Sequence, residues 1–188
     1  MHEVFTKDLF LWINSIKNNR EDIDDLYLLL DLIGGISKSD LILLKINSQE
    51  KVNLRVDFNS LKSKWNEHIQ FSKPIQYVCE SVYWRNFKFE LNTDVLIPRT
   101  ETEKIVEIAT EVIGYENKNI IFADLGTGSG SIAISLAFEN RNWEGLATDI
   151  DDKALKIAKR NHQKISLEPN IHFYHGSWWD PLVNYAGM

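Results

Sequence analysis

Cysteine and long apolar runs are both scarce in this sequence. Cys79 is its only cysteine, so no disulfide can form within one chain, and we expect a protein of the reducing cytoplasm. The longest apolar runs, such as residues 41 to 44, fall far short of the roughly 20 residues that cross a bilayer. The N-terminal residues carry charges throughout and lack the apolar stretch of a secretion signal. No membrane association is expected.

Positive charge is also in short supply. Lys and Arg total 21 against 27 Asp and Glu, which gives a formal net charge of −6. Direct nucleic-acid binding is therefore not expected, because binding to phosphates requires a basic surface. His172 and His175 lie close together in sequence, but nothing else has the spacing of metal ligands, so we expect no metal site.

The first 72 residues contain apolar residues at helical spacing. They predict four helices, with Thr6 as an N-cap, a stop at Gly34 and Gly35, and a third helix from Ser37 to Ile46. The fourth helix carries its apolar stripe from Phe58 to Ile69. Packing of these stripes predicts a small helical bundle over residues 1 to 72.

Residues 73 to 98 form a predicted linker. Pro74 is expected to end the helical region. From Val82 the apolar residues alternate with polar ones, which is typical of strands. We expect a β-hairpin in which residues 92 to 94 turn the chain into a second strand over residues 95 to 97.

Strands and helices alternate over residues 99 to 188. The predicted strands cover residues 120–125, 145–149 and 171–174, and the predicted helices cover residues 102–113, 132–138 and 152–162. This alternation is typical of a parallel sheet in an α/β fold.

A glycine-rich loop follows the first of these strands. Gly126, Gly128 and Gly130 come directly before a helix, so a ligand can approach the backbone and the free N–H groups of the helix. Asp149 closes the next strand, where an acid can accept ribose hydroxyls. A tight turn without a ligand remains an alternative. NAD is a second one, although its fingerprint places the third glycine at the position that Ser131 occupies here.

Three further stretches, together with this loop, resemble one family. Residues 96 to 103 (Leu-Ile-Pro-Arg-Thr-Glu-Thr-Glu), residues 73 to 77 (Lys-Pro-Ile-Gln-Tyr) and residues 176 to 179 (Gly-Ser-Trp-Trp) are similar to motifs of the HemK/PrmC glutamine methyltransferases. That resemblance implies a Rossmann-like class I methyltransferase sheet of strand order 3-2-1-4-5-7-6, of which this chain holds the first part. It implies S-adenosylmethionine as cofactor and a peptide chain release factor as protein substrate, with the helical domain docking that factor.

The resemblance also implies the cofactor-binding residues. Asp124, Gly126, Thr127, Gly128, Ser129 and Gly130 would face the methionyl part, Asp149 the ribose and Trp178 the adenine, while Arg99, Glu101, Thr102 and Glu103 would close the pocket. Local alternatives stay open: an Arg99–Glu103 surface ion pair, Thr102 as a helix cap, and Trp178 as a cover for the sheet edge.

The sequence departs from the family in three places. Thr100 stands where the family has Pro, Ser177 stands where it often has Asp, and the catalytic Asn-Pro-Pro-Tyr motif does not occur. No catalytic residue is therefore assigned. Our first hypothesis is a release-factor glutamine N5-methyltransferase or the N-terminal portion of one. The alternatives are a non-catalytic binding remnant, a nucleic-acid adenine N6-methyltransferase and an NAD-dependent oxidoreductase. With strand 1 as an open edge, we also expect marginal folding or association through that edge.

Overall fold

The computed structural model describes residues 1–17, 23–47, 49–113, 119–165 and 170–185. It divides into two compact units, residues 1–79 and residues 80–188. The first contains β1 (His2–Phe5), α1 (Thr6–Lys17), α2 (Ile23–Leu29), α3 (Lys38–Ile46), β2 (Lys51–Leu54), α4 (Phe58–Phe71) and α5 (Ile75–Val78). The second contains β3 (Ser81–Trp84), β4 (Phe87–Glu90), α6 (Glu103–Ile113), β5 (Ile120–Leu125), α7 (Ser131–Glu139), β6 (Trp143–Asp149), α8 (Asp152–Ile165) and β7 (Asn170–His175).

Helices α1 to α4 of the first unit confirm the four helices that the apolar spacing predicts. Their stripes meet in one core, in which Leu9, Leu26 and Leu61 are fully buried. A π-helical turn continues α2 to Gly34, and Gly35 ends it in a left-handed conformation with φ 73°. The predicted stop is therefore confirmed. Helix α3 begins after Ser37, whose hydroxyl accepts a hydrogen bond from the backbone N–H of Asp40 at 3.1 Å.

Two local expectations for the first unit are wrong, and one strand pair was not predicted. Thr6 does not act as an N-cap: it is the first residue of α1, and its buried hydroxyl has no hydrogen-bond partner among the described residues. Pro74 does not end the helical region, because the short helix α5 follows it directly. Finally, β1 and β2 form an antiparallel pair that the sequence did not predict.

The predicted hairpin exists, but its turn lies elsewhere. Strand β3 pairs antiparallel with β4, so that Trp84 faces Phe87 across a turn made by Arg85 and Asn86. Residues 95 to 97 are not a strand. The side chain of Asn92 instead bonds Asp94 and stabilises a non-hairpin turn. The hairpin lies within the second unit, and the predicted boundaries at residues 72 and 98 stay predictions.

The second unit is built on a parallel sheet of order β5-β6-β7, which confirms the predicted α/β fold. Strands β6 and β7 lie to one side of β5, as the order 3-2-1 requires. Its core contains the aromatic pair Trp84 and Phe89 from the hairpin together with apolar side chains of α7 and α8. Because all three strands are parallel, their carboxyl ends meet at one edge of the sheet. The glycine loop and Asp149 both lie at that edge.

Candidate functional site

The glycine loop folds over the end of the neighbouring strand. The backbone N–H groups of Gly126 and Thr127 both donate to the carbonyl of Thr148, at 2.9 and 2.8 Å. The N–H of Gly130 then donates to the carbonyl of Thr127 at 2.8 Å, which closes a tight turn before α7. Backbone hydrogen bonds therefore hold the loop against β6.

The three glycines have two different structural roles. A Cβ atom added at Gly126 or Gly128 would meet nothing within 4 Å, so open space lies in front of the loop. A Cβ atom at Gly130 would lie 2.9 Å from Ile134 Cδ1 and 3.2 Å from Ala158 Cβ, and the φ angle there is 82°. The first two positions thus leave room for a ligand, whereas the third lets α7 and α8 pack closely.

Asp124, at the end of β5, supports the loop from below. Its Oδ2 atom accepts hydrogen bonds from Thr127 Oγ1 at 2.7 Å and from the N–H of Ala133 at 3.2 Å. Burial raises the pKa of the Asp124 carboxyl above its ordinary value, and these two hydrogen bonds offset part of that rise. The Oδ1 atom has no protein partner among the described residues. One oxygen of a partly desolvated carboxylate is therefore available to a cationic group.

Asp149 lies beside the loop at the end of β6. Its Oδ2 accepts from the N–H of Gly128 at 2.8 Å, and its Oδ1 accepts from the N–H of Asp151 at 3.0 Å. Each carboxylate oxygen can accept more than one hydrogen bond. The side chain is thus fixed in place by the backbone while it keeps acceptor capacity for two hydroxyl groups.

Large apolar side chains are exposed in the segments that follow β6 and β7. Ile150 is 72% exposed and Trp178 is 71% exposed. The backbone after β7 is bonded to β6, because Thr148 Oγ1 donates to the Trp178 carbonyl at 3.1 Å and the Gly176 N–H donates to the Asp149 carbonyl at 3.0 Å. Sequence reasoning missed Ile150. Its signal was an apolar residue directly after the acid, where a solvent-facing loop ordinarily carries a polar one.

Among the described residues, residues 99 to 103 make no hydrogen bond to the glycine loop. Arg99 and Glu101 are exposed and have no side-chain partner among the described residues. Glu103 opens α6, and its carboxylate accepts from the backbone N–H of Arg85 at 2.9 Å, so the alternative Arg99–Glu103 ion pair is not formed. Thr102 is the last residue of a short 3-10 helix, Thr100–Thr102, that leads directly into α6. That these residues close a pocket stays a prediction.

The described residues contain neither a membrane-spanning helix nor a metal-binding cluster. Among the helices that the structure describes, none combines the length and apolarity needed to cross a membrane. No cluster of three or more His, Cys, Asp or Glu side chains in these parts of the chain is arranged to hold a metal ion.

Known proteins match both the glycine-loop region and most of the chain. Residues 105–185 match the family model of the methyltransferase small domain. The release factor glutamine methyltransferase of Prochlorococcus marinus is 33% identical over 182 residues, which is 96% of this chain and 62% of that protein. The chain is homologous to the release factor glutamine methyltransferases. The resemblance predicted from the motifs is thereby confirmed.

A second curated relative is similar to the chain over a comparable length. The release factor glutamine methyltransferase of Synechocystis is 32% identical over 84% of this chain and 54% of its own length. The chain thus spans 62% of the length of the first of these curated relatives and 54% of the length of the second. Among solved structures, the Pyrococcus abyssi tRNA (uracil-54, C5)-methyltransferase in complex with S-adenosyl-L-homocysteine is 16% identical and covers 50% of this chain and 24% of its own. Its TM-score of 0.40 is too low to support any assignment.

Proposed function

We propose that the glycine loop binds S-adenosylmethionine and that the chain is the cofactor-binding portion of a release factor glutamine methyltransferase. The observation that carries this proposal is the pairing of the open loop with two carboxylates at one sheet edge. Asp124 offers an unpaired oxygen to the ammonium of the methionyl group, and Asp149 offers acceptors to the ribose hydroxyls. Ile150 and Trp178 are large exposed apolar surfaces that suit an adenine ring.

The residues at this edge fit S-adenosylmethionine better than they fit NAD. A dinucleotide places a pyrophosphate against the glycine loop, and the buried carboxylate of Asp124 would repel that group. The methionyl end of S-adenosylmethionine carries a cation instead. The space in front of Gly126 and Gly128 is open to either ligand, so the sign of the charge at Asp124 is what favours the methyl donor.

When bound, S-adenosylmethionine supplies a methyl group on a positively charged sulfur. The chain's own contribution is to bind the donor and fix its orientation, which is the main requirement for transfer between aligned groups. An amide nitrogen is a weak nucleophile and gains from hydrogen bonds that polarise it. In the family, the Asn-Pro-Pro-Tyr motif does this, and the motif does not occur in these 188 residues. The alternative to transfer is binding of the cofactor or of the release factor alone.

Calorimetric titration with S-adenosylhomocysteine tests cofactor binding. We expect saturable binding of this ligand and none of NAD. Gly128→Val should abolish binding, because it fills the space in front of the loop at a φ of 55°. Gly34→Ala is the matched control, since a Cβ atom there meets only ordinary contacts of 3.8 Å in the first unit. Binding of NAD in place of S-adenosylhomocysteine would refute the proposal.

Transfer of labelled methyl groups to a release factor separates the two candidate functions. Incorporation at the glutamine of its Gly-Gly-Gln motif would show a methyltransferase, and cofactor binding without incorporation would show a binding module. Label on DNA or RNA would favour an adenine methyltransferase instead. A release factor as substrate would place the protein in the cytoplasm.

A groove in the first unit suits the docking of that protein substrate. The groove has a volume of about 210 Å³ and lies between α1, α2 and α3. Its lining includes Phe10, Tyr27, Lys17, Lys38 and Lys45, and none of the described residues that line it carries a carboxylate. Lys38 lies 4.8 Å from the Tyr27 ring centre, and Lys45 lies 4.9 Å from that of Phe10. We infer that an acidic and apolar segment of the release factor binds here.

A further inference from the structure

One buried amide joins three parts of the second unit. Asn161 lies on α8 and is fully buried. It continues the helix face formed by Ala154, Ile157 and Ala158, all of them buried. An apolar side chain is the ordinary occupant of such a position, since a buried polar group destabilises the fold unless it is hydrogen-bonded. The amide therefore has a role that an apolar side chain cannot fill.

All of the donors of this amide are used. Its Oδ1 atom accepts from the backbone N–H of Glu90 at 2.6 Å. Its Nδ2 group donates to the carbonyl of Glu90 at 3.0 Å and to the carbonyl of Ser129 at 2.9 Å. Only this orientation of the amide matches one N–H and two carbonyls, so the assignment of its oxygen and nitrogen follows from the partners.

The two partners belong to different elements. Glu90 is the last residue of β4 in the hairpin, and Ser129 lies in the glycine loop between Gly128 and Gly130. Helix α8 thus holds the loop at two successive turns. Ala158 packs against Gly130, and Asn161, three residues later, bonds the loop carbonyl. A loop rich in glycine has many accessible conformations, and these two contacts select one of them.

We propose that Asn161 is a positioning residue for cofactor binding: it fixes the Ser129 carbonyl and so holds the glycine loop in the conformation that receives the ligand. The inference rests on the proposed function, because it takes this loop to be the cofactor site. Asn161 itself does not touch the cofactor. It acts by removing conformational freedom before binding, which raises affinity by preorganisation.

Asn161→Asp is the informative variant. It keeps the size of the side chain and the acceptor for the Glu90 N–H, but it has no N–H to offer the Ser129 carbonyl. Asn161→Ala removes the same donor without adding a charge and serves if the Asp variant does not fold. Arg160→Ala is the matched control. It removes an ion pair between α8 and Glu90, whose N–O distance is 2.6 Å, without touching the loop.

Amide hydrogen exchange of the unliganded full chain gives the first readout. In the Asn161 variants we expect the amides of Gly128 and Gly130 to exchange about tenfold faster, because the loop loses one anchoring hydrogen bond. The control should leave these amides unchanged. Unchanged exchange in the Asn161 variants would overturn the proposal. This readout needs no cofactor, so it decides the positioning role even if the chain does not bind S-adenosylmethionine.

Titration with S-adenosylhomocysteine, well below each variant's melting temperature, gives the second readout. We expect the dissociation constant to rise about tenfold in Asn161→Asp relative to Arg160→Ala, in line with a lost hydrogen bond. Faster loop exchange with wild-type affinity would also overturn the proposal, since the loop's conformation would then be irrelevant to binding. Failure of the wild-type chain to bind would instead refute the proposed function.

Discussion

The carboxylate of Asp149 accepts a hydrogen bond from the backbone N–H of Gly128 at 2.8 Å. One side chain therefore orders the glycine loop and also presents acceptors toward the space in front of it. These two roles are separate in the sequence, where a glycine motif and an acid at the end of the next strand are recognised independently. In the structure they are one hydrogen-bonded unit.

Asp149→Ala should weaken S-adenosylhomocysteine binding by about tenfold or more, because acceptors for the ribose and the bond to Gly128 are lost together. Isothermal titration measures the effect. Asp152→Asn is the control: it removes the same charge from the start of α8 but only breaks an exposed pair with Lys156. Equal affinities of the two variants would show that Asp149 does not contact the ligand.

Asp124→Asn should stabilise the unliganded chain at neutral pH. Burial raises the pKa of Asp124 in the folded state, so the unfolded state releases its proton at lower pH than the folded state does. Stability of the wild type therefore falls as pH rises from the unfolded pKa to the folded pKa, and it levels off above that. Melting temperatures of both proteins across this range should diverge as pH rises.

The same Asp124→Asn variant should bind S-adenosylhomocysteine more weakly, since the amide carries no charge for the ammonium. A gain in stability with a loss of affinity is what a strained binding site predicts. If the melting temperatures of the two proteins ran parallel from acid to neutral pH, the buried carboxylate would have no unusual titration, and this prediction would be wrong.

Arg85→Asn should destabilise the second unit by about 2 kcal/mol, because charge-assisted hydrogen bonds in a largely buried place are lost. The Arg85 guanidinium bonds the Glu139 carboxylate and, at 3.3 Å, the Glu103 carbonyl. Asn tolerates the φ of 51° at this residue, so the measured effect comes from the lost side-chain bonds and not from backbone strain. Urea unfolding measures it, with Lys104→Gln as a control on an exposed pair with Glu107. An equal effect of both changes would contradict the prediction.

Lys38→Glu combined with Lys45→Glu should weaken binding of the release factor by at least about tenfold, because two attractive charges at the groove become repulsive. Surface plasmon resonance at two salt concentrations measures the affinity, and the wild-type value should fall with salt. Lys62→Glu is the control. It lies on α4, over the Phe58 ring, and does not line the groove. A matching loss in that control would indicate a general charge effect.

Ile105→Lys combined with Val112→Lys should reduce self-association of the chain. Ile105, Ile108 and Val112 recur on one face of α6 and are 50%, 48% and 78% exposed. Exposed apolar stripes of this kind favour association. Sedimentation velocity at several concentrations measures it, with Leu11→Lys as a control on the first unit, where Leu11 is 58% exposed. If the wild-type chain is monomeric at every concentration, the prediction fails.

Sequence reasoning succeeded where the signal is local. The apolar spacing of α1 to α4 and the order of strand, glycine loop and helix were all visible in short windows. The hairpin turn was misplaced because Asn92 and Asp94 are favourable turn residues. Arg85 adopts a left-handed conformation in the true turn, and arginine is not a residue type that predicts one. This conformation is stabilised by a distant residue: the Arg85 N–H donates to the carboxylate of Glu103, which opens a helix 18 residues later.

The remaining misses involve partners that are distant in sequence. Strand β1 has four residues, and its partner β2 begins at Lys51, so no window contains the pair. The bonds from Asn161 to Glu90 and Ser129 span 71 and 32 residues. In the sequence, Asn161 is a polar residue that interrupts the apolar face of a predicted helix. The carbonyl groups of Glu90 and Ser129, to which it donates, are identified only by the structure.

The pairing of β1 with β2 also has a consequence for synthesis on the ribosome. His2 lies opposite Leu54, and Phe5 lies opposite Lys51, so β1 cannot pair until the ribosome has made a strand about fifty residues later in the chain. Helices α1 to α3 can form locally while they wait, because helix formation needs only neighbouring residues. Strand β1 can then pair with β2 while α4 and α5 of the same unit are still to be made.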